Sequence, residues 1–207
     1  MNFNLAADCV FKGPWDNAKL EKDIMTVPGA LPREVCDRII SIAESNSSWF
    51  QRSRTVSEVD GKLEDSPRQS DSMYLTAIAQ DYQFMKQIDD LLFFVFSSGL
   101  RAYTQLVGHD VSVNSDEGYT LLRYRQGDYY KYHTDNGGAS TRTLRTMSAL
   151  IYLNDNYEGG EIDFPRQEVK IKPTAGMLVM FPAILTFPHA SLPVKSGTKY
   201  TVVTWFR

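Results

Sequence analysis

The chain has three histidines, His109, His133 and His189. His133 stands two residues before Asp135, at the end of the run Tyr124-Arg-Gln-Gly-Asp-Tyr-Tyr-Lys-Tyr-His-Thr-Asp135. On a β-strand, residues i and i+2 point to the same face. An imidazole and a carboxylate would then project side by side, two thirds of a metal site. His189, in Phe187-Pro-His-Ala-Ser191, is the candidate for the missing third. Two imidazoles and one carboxylate on one side of an ion leave its opposite side open, an arrangement suited to Fe(II) that activates dioxygen. His109, beside Gly108 in a turn, is assigned no role. A thiolate zinc or copper site is excluded by the cysteine count, which is two. The spacing of Cys9 and Cys36 makes no metal or redox motif, and Cys36 reads as a small core residue.

These residues need strands to hold them. From Tyr119 onward the pattern is one of short apolar runs separated by turns. The expected strands are Tyr119–Tyr124, Tyr129–Thr134, Met147–Leu153, Glu161–Phe164, Glu168–Ile171, Met177–Phe181, Phe187–Ser191 and Lys199–Phe206. Gly127, Gly137-Gly138, Asn154-Asp155-Asn156, Gly159-Gly160 and Gly197 punctuate them. Eight strands in this rhythm predict a double-sheet jelly roll, or double-stranded β-helix. In it, His133 and Asp135 fall on the second strand and His189 on the seventh, which can be neighbours.

The first 117 residues read as a supporting layer. Ile24–Val27 suggests an edge strand closed by Pro28-Gly29. A helix is expected over Pro32–Ser45, with Pro32 in its first turn and Val35, Ile39, Ile42 and Ala43 on one face. A longer one is expected from Ile78 to about Val107, where Phe84, Ile88, Leu91, Leu92, Val95 and Phe96 share a face and Gly99 breaks or kinks it. Residues 51–72 are almost without apolar side chains, with an Asp60-Gly61 hairpin turn. They read as a solvated loop or as a lid over a site. The expectation is one catalytic domain over 1–207, mainly β with N-terminal helices. Residues 1–117 support it, with a possible lid at 51–72, and 118–207 form the jelly-roll core.

Composition narrows the function classes. The 207 residues are 43% hydrophobic and 23% charged, with eleven Tyr and eleven Phe. A net charge of -3 argues against wrapping nucleic acid by bulk charge. The N-terminus lacks a basic start and an apolar run, and the most apolar stretch, Leu91–Val95, is too short to span a bilayer. A cytoplasmic protein without membrane attachment is expected. Nothing in the sequence sets the oligomeric state.

In combination, these motifs resemble the 2-oxoglutarate and Fe(II)-dependent dioxygenases, within them the prolyl 4-hydroxylase-like branch. The matching residues are Tyr124-x-x-Gly127-x-x-Tyr130-x-x-His133-x-Asp135, Tyr152-Leu-Asn154 and Gly159-Gly160-Glu161. Pro173-x-x-Gly176, Phe181, His189, Pro193-Val194-x-x-Gly197-x-Lys199 and Trp205-x-Arg207 follow in order. The resemblance implies that His133, Asp135 and His189 ligate Fe(II). It implies that Lys199 pairs with the distal carboxylate of 2-oxoglutarate, with Tyr124 and Ser148 in the same pocket. A buried carboxylate needs such a cation. It also implies O2 as co-substrate, ascorbate as a reductant, and hydroxylation of a C–H bond in a proline-containing peptide, in a groove covered by loops 51–72 and 136–144. Another peptidyl residue or a small molecule is the alternative substrate, and a non-catalytic jelly-roll binding module the alternative of another class. Trp205 reads as core or pocket wall, with substrate contact as a further reading. Arg142 and Arg145 read as surface charges, with loop charges reaching the substrate as the other reading. Tyr130 matches a substrate-side position, yet simple alternation turns it away from His133. That conflict predicts a bend or bulge near Gly127. Gly159 and Gly160 are assigned backbone roles only.

Overall fold

The computed structural model describes residues 14–53, 67–136 and 144–207. Its strands are β1 (Lys19–Glu21), β2 (Ile24–Val27), β3 (Gln51–Arg52), β4 (Arg68–Gln69), β5 (Asp71–Tyr74), β6 (Thr120–Tyr124), β7 (Tyr129–His133) and β8 (Met147–Tyr152). They continue with β9 (Glu158–Gly159), β10 (Ile162–Phe164), β11 (Val169–Ile171), β12 (Leu178–Pro182), β13 (His189–Ser191), β14 (Val194–Ser196) and β15 (Lys199–Phe206). The α-helices are α1 (Arg33–Ser45), α2 (Leu75–Ala79) and α3 (Gln83–Val107). An eight-stranded major sheet runs β1-β2-β12-β8-β15-β6-β5-β3, and a five-stranded minor sheet runs β11-β10-β13-β7-β4. β14 and β9 form a small third sheet. All pairings are antiparallel. This is the expected jelly roll backed by helices.

Period two divides the major sheet into two working faces. On β12, Leu178 and Met180 join the cluster shared with α1 and α3, while Val179 and Phe181 join a second cluster with Phe164 and Phe187 of the minor-sheet side. On β15, Tyr200, Val202 and Phe206 face the helix side. Lys199, Thr201, Val203 and Trp205 line a cavity instead. Because both faces are covered, these strands read as nearly continuous apolar runs. Each fully buried large apolar side chain contributes about 1.5–3 kcal/mol.

Several expectations for the first half change. The segment Ile24–Val27 is not an edge, since β2 pairs with β1 on one side and β12 on the other. The helix expected from Ile78 is two helices, α2 and α3. Gly99 does not break α3. A Cβ there would lie 2.4 Å from Leu178 Cδ2 and 3.2 Å from Met180 Sδ, so the missing side chain is what lets α3 lie against β12. α1 matches its expectation, with Pro32 one residue outside it and Cys36 fully buried. Burial pushes the Cys36 thiol up to about 12.

The expected loop 51–72 begins and ends in strands, β3 at one end and β4 and β5 at the other. Ser53, Ser70, Asp71 and Ser72 are buried with partners: Arg123 donates to Asp71 at 2.9 Å and to Glu44 at 2.9 Å, and Ser70 and Ser72 bond Ser53. The Asp60-Gly61 turn, Gly137-Gly138, Arg142, Cys9 and most of both proposed lid loops lie outside the described residues. Among the described residues no helix is long and apolar enough to cross a membrane.

Candidate active site

The ligand atoms of His133, Asp135 and His189 all lie within 4.8 Å of one another. The two histidines face each other directly, because β13 pairs with β7 at His189↔His133. Asp135 is not on a strand, contrary to expectation. β7 ends at His133, and Asp135 sits in the turn that follows. Its carboxylate still reaches both rings. Oδ1 is 3.5 Å from His133 Nε2, and Oδ2 is 3.5 Å from His189 Nε2.

Both imidazoles are held in the same way. Nδ1 of His133 bonds the Lys131 carbonyl at 2.8 Å, and Nδ1 of His189 bonds the Phe187 carbonyl at 3.1 Å. A carbonyl can only accept, so Nδ1 carries the hydrogen and Nε2 keeps its lone pair for an ion. Burial lowers the pKa of His189, favouring the neutral, ligating form. Burial alone would raise the Asp135 carboxyl, but the His189 and His133 rings, when protonated, and the Ser148 hydroxyl outweigh it and hold it well below the usual carboxylate range. Two neutral imidazoles, one carboxylate and no thiolate fit a ferrous ion.

The register explains the Tyr130 conflict. Ser191 pairs with Tyr130, so four residues of β7 (130–133) oppose three of β13 (189–191). The extra residue is a bulge opposite Ala190, not a bend near Gly127. It returns Tyr130 to the side of His133, where the two rings stack with centroids 3.5 Å apart.

The triad opens into a cavity of about 510 Å³, counting its open mouth. The other end of that cavity is built on the major sheet. Lys199 is 2% exposed; its ammonium donates to the Gly160 carbonyl at 2.9 Å and to Ser191 Oγ, and lies 4.4 Å from the centroid of the Tyr124 ring. Lys199 and Tyr124 are direct cross-strand partners. Among the described residues no carboxylate lies within ion-pair distance of Lys199. Burial lowers its pKa to about 7, with Glu161 opposing the shift at longer range. Two residues on, Thr201 lines the same cavity, and its buried Oγ1 has no hydrogen-bond partner. A buried lysine without a counter-ion beside an orphaned hydroxyl fits one carboxylate of a dicarboxylic acid.

Ser148 departs from expectation. Its hydroxyl is not turned to the lysine end but donates to Asp135 Oδ2 at 2.6 Å. Trp205 does line the cavity. Arg145, read from sequence chiefly as a surface charge, sits over the Trp205 ring with its guanidinium carbon 3.7 Å from the centroid. Glu117 holds that guanidinium with two bonds, at 2.9 and 2.6 Å. The sequence reading also missed Arg68, Ser191 and Thr201. The last two follow His189 and Lys199 by two residues, so the i+2 rule that paired His133 with Asp135 was the available signal. His109 is exposed and outside the cavity, as expected.

The two packed antiparallel sheets, the open-sided triad at one end of a cavity and the buried cation at the other make a double-stranded β-helix with a candidate metal centre. Residues 119–207 match the 2OG-Fe(II) oxygenase superfamily. The cofactor and co-substrates of that superfamily are Fe(II), 2-oxoglutarate and O2.

Prolyl 4-hydroxylase 1 of Arabidopsis thaliana is 28% identical over 210 residues, covering 89% of this chain and 68% of that protein. A putative prolyl 4-hydroxylase of Acanthamoeba polyphaga mimivirus is 30% identical over 115 residues. That match takes in 47% of this chain and about half, 48%, of the viral protein. Two solved structures share the fold. A viral collagen prolyl hydroxylase from Paramecium Bursaria Chlorella virus-1, in complex with 2OG, has a TM-score of 0.66 at 24% identity, over 90% of this chain and 96% of that one. A Trichoplax adhaerens prolyl hydroxylase, in complex with a hypoxia inducible factor oxygen degradation domain peptide fragment, has a TM-score of 0.68 at 17% identity, over 89% and 83%.

Proposed function

We propose that this protein is a 2-oxoglutarate- and Fe(II)-dependent dioxygenase that hydroxylates a peptidyl proline. The observation that carries the reading is the two-ended cavity, with the bared Nε2 atoms and Asp135 at one end and Lys199 with Thr201 at the other. In such a site Fe(II), 2-oxoglutarate and O2 supply oxidative decarboxylation of the oxo-acid to succinate, coupled to hydroxylation of a C–H bond.

The side chains have separable tasks. His133, Asp135 and His189 would hold the metal, with one side of it open to the cavity. Lys199 would neutralise the far carboxylate of 2-oxoglutarate, with Thr201 as a second donor and Tyr124 as the wall over which the ammonium sits. Tyr130 keeps the His133 ring flat by stacking on it. Trp205, held by Arg145 and Glu117, forms the wall on the Asp135 side and would meet the substrate. The cavity walls are mostly apolar, with Leu122, Leu150, Ile162 and Val203 among them, which keeps bulk water from the reacting centre.

The choice of a proline substrate rests on the relatives. The Arabidopsis and mimivirus proteins carry the prolyl 4-hydroxylase name, and the Trichoplax enzyme was solved with a peptide. Extended proline-rich chains are preorganised for such a groove.

The test has two parts. Anaerobic addition of Fe(II) and 2-oxoglutarate should produce the weak visible charge-transfer band of the chelate; folded protein without the band would remove the oxygenase reading. A panel of proline-rich peptides, incubated with Fe(II), 2-oxoglutarate, O2 and ascorbate, should then show a gain of ~16 Da, one oxygen atom. Turnover of 2-oxoglutarate with no modified peptide would move the substrate to another class and leave the cofactor assignment standing.

A further inference from the structure

We propose that Ser148 is a positioning residue of the metal centre, whose hydroxyl fixes the Asp135 carboxylate so that one oxygen, Oδ1, is left to face the ion. This rests on the metal reading above and adds a residue to it.

The three ligands all come from the minor sheet or the turn that leaves it. His133 and His189 are held on paired strands, each with its Nδ1 bonded to a carbonyl. Asp135 has no such support. It lies beyond the end of β7, and among the described residues its own carbonyl receives only a long contact, 3.4 Å, from Arg145 Nη1. Its carboxylate therefore has to be aimed by its side-chain partner.

Ser148 is suited to that task. It is fully buried in the middle of the major sheet, with Phe181 of β12 opposite on one side and Trp205 of β15 on the other. A backbone laddered on both edges cannot drift. Its alternate neighbours Met147 and Ala149 face the helix side, so period two sends Ser148 toward the minor sheet. At 2.6 Å from Oδ2 its hydroxyl is a charge-assisted donor to an ionised carboxylate.

That bond also selects an oxygen. Apart from that bond the two oxygens stand alike, each 3.5 Å from one histidine Nε2. With Oδ2 claimed by Ser148, the carboxylate is biased to bind through Oδ1 alone. One-oxygen binding matters because a carboxylate that chelates through both oxygens would take a position on the open side. A co-substrate that binds through two atoms, with O2 beside it, needs every position there.

The test separates this role from direct contact with 2-oxoglutarate. Co(II), an air-stable probe with a visible d–d spectrum, is titrated into wild type, Ser148→Ala and Ser148→Thr. The affinity for 2-oxoglutarate is then measured calorimetrically at saturating Co(II). Loss of the hydroxyl should weaken Co(II) binding by about 10- to 100-fold, as loss of a group supporting a ligand does. 2-oxoglutarate affinity should stay unchanged once metal is saturating, and threonine should restore the metal affinity. If the alanine variant does not fold, Ser148→Cys keeps the volume with a much weaker donor and carries the same prediction. Unchanged Co(II) affinity in a folded variant overturns the proposal. So does a weakened 2-oxoglutarate affinity at unchanged Co(II) affinity, which would return Ser148 to the co-substrate pocket. Wild type that binds no Co(II) overturns the metal reading itself.

Discussion

The two ends of the cavity are built by opposite means. The lysine end uses regular strands: Lys199, Thr201, Val203 and Trp205 alternate along β15, and Tyr124 faces Lys199 across an unbroken ladder. The metal end uses exceptions: a bulge that turns Tyr130 inward, and a carboxylate two residues past the end of its strand. Regularity sets distance and little else, which suffices for a long, flexible ammonium that must reach a carboxylate. A metal needs three donors converging on one point. Two strands can supply two of them, and the third comes from chain that has left the ladder.

The comparison can be broken most severely at the metal end. His189→Ala should reduce metal affinity by more than the roughly 10- to 100-fold that loss of a supporting group costs. The variant should keep its circular dichroism spectrum, because β13 is laddered to β7 and β10 through backbone groups that the substitution leaves in place. Retained metal binding in equilibrium dialysis would place the third ligand elsewhere.

At the lysine end, Lys199→Ala should weaken 2-oxoglutarate binding by about 10- to 100-fold, the equivalent of roughly 1.5–3 kcal/mol for a charge-assisted hydrogen bond. Metal affinity should not change. Loss of both together, in parallel titrations, would show that the two ends are one unit.

The pH dependence should also come from this end. Burial lowers the pKa of Lys199 to about 7, and a bound carboxylate would raise it. Below that value the ammonium is already formed and affinity is flat. Above it, affinity should fall by up to about tenfold per pH unit as the charge is lost. Flat 2-oxoglutarate affinity from pH 6 to 9 would show that Lys199 stays charged.

The smallest effect should come from the next residue along. Tyr200 lies on the opposite face of β15 and donates to Glu44 Oε1 at 2.8 Å. Tyr200→Phe should cost about 0.5–1.5 kcal/mol of stability in denaturant unfolding. It should leave 2-oxoglutarate affinity untouched, whereas Lys199→Ala does the reverse. A change in co-substrate affinity on Tyr200→Phe would blur the two faces.

The same contrast decides what the sequence could reveal. The late strands were legible because both faces are apolar and turns separate them, and His133, Asp135, His189, Tyr124 and Lys199 do meet in one cavity. The bulge was legible only as a contradiction about Tyr130, and was misplaced at Gly127, because a glycine in a turn is the more visible irregularity. β3, β4 and β5 were hidden for a different reason. Arg52, itself exposed, bridges the buried Asp71 and Asp128, with Arg123 and Glu44 completing the network. A strand stabilised by ion pairs is written in the same letters as a solvated loop. Ser148 was found by position but given the wrong partner, since spacing along one strand does not show which side chain waits on the facing sheet.

The pairing of β15 with β6 also limits how this protein can change in length. Lys199 opposes Tyr124 and Thr201 opposes Leu122, while Tyr200 opposes Arg123 on the far side. Insertion or deletion of a single residue inside β15 would exchange the two sets, putting a phenol where the ammonium stands and driving a lysine beneath the helices. A two-residue change would keep the sides but move every group about 7 Å along the cavity. The strand can thus vary by substitution but not by length, and lineages of this chain should carry their insertions in the turns beyond its ends.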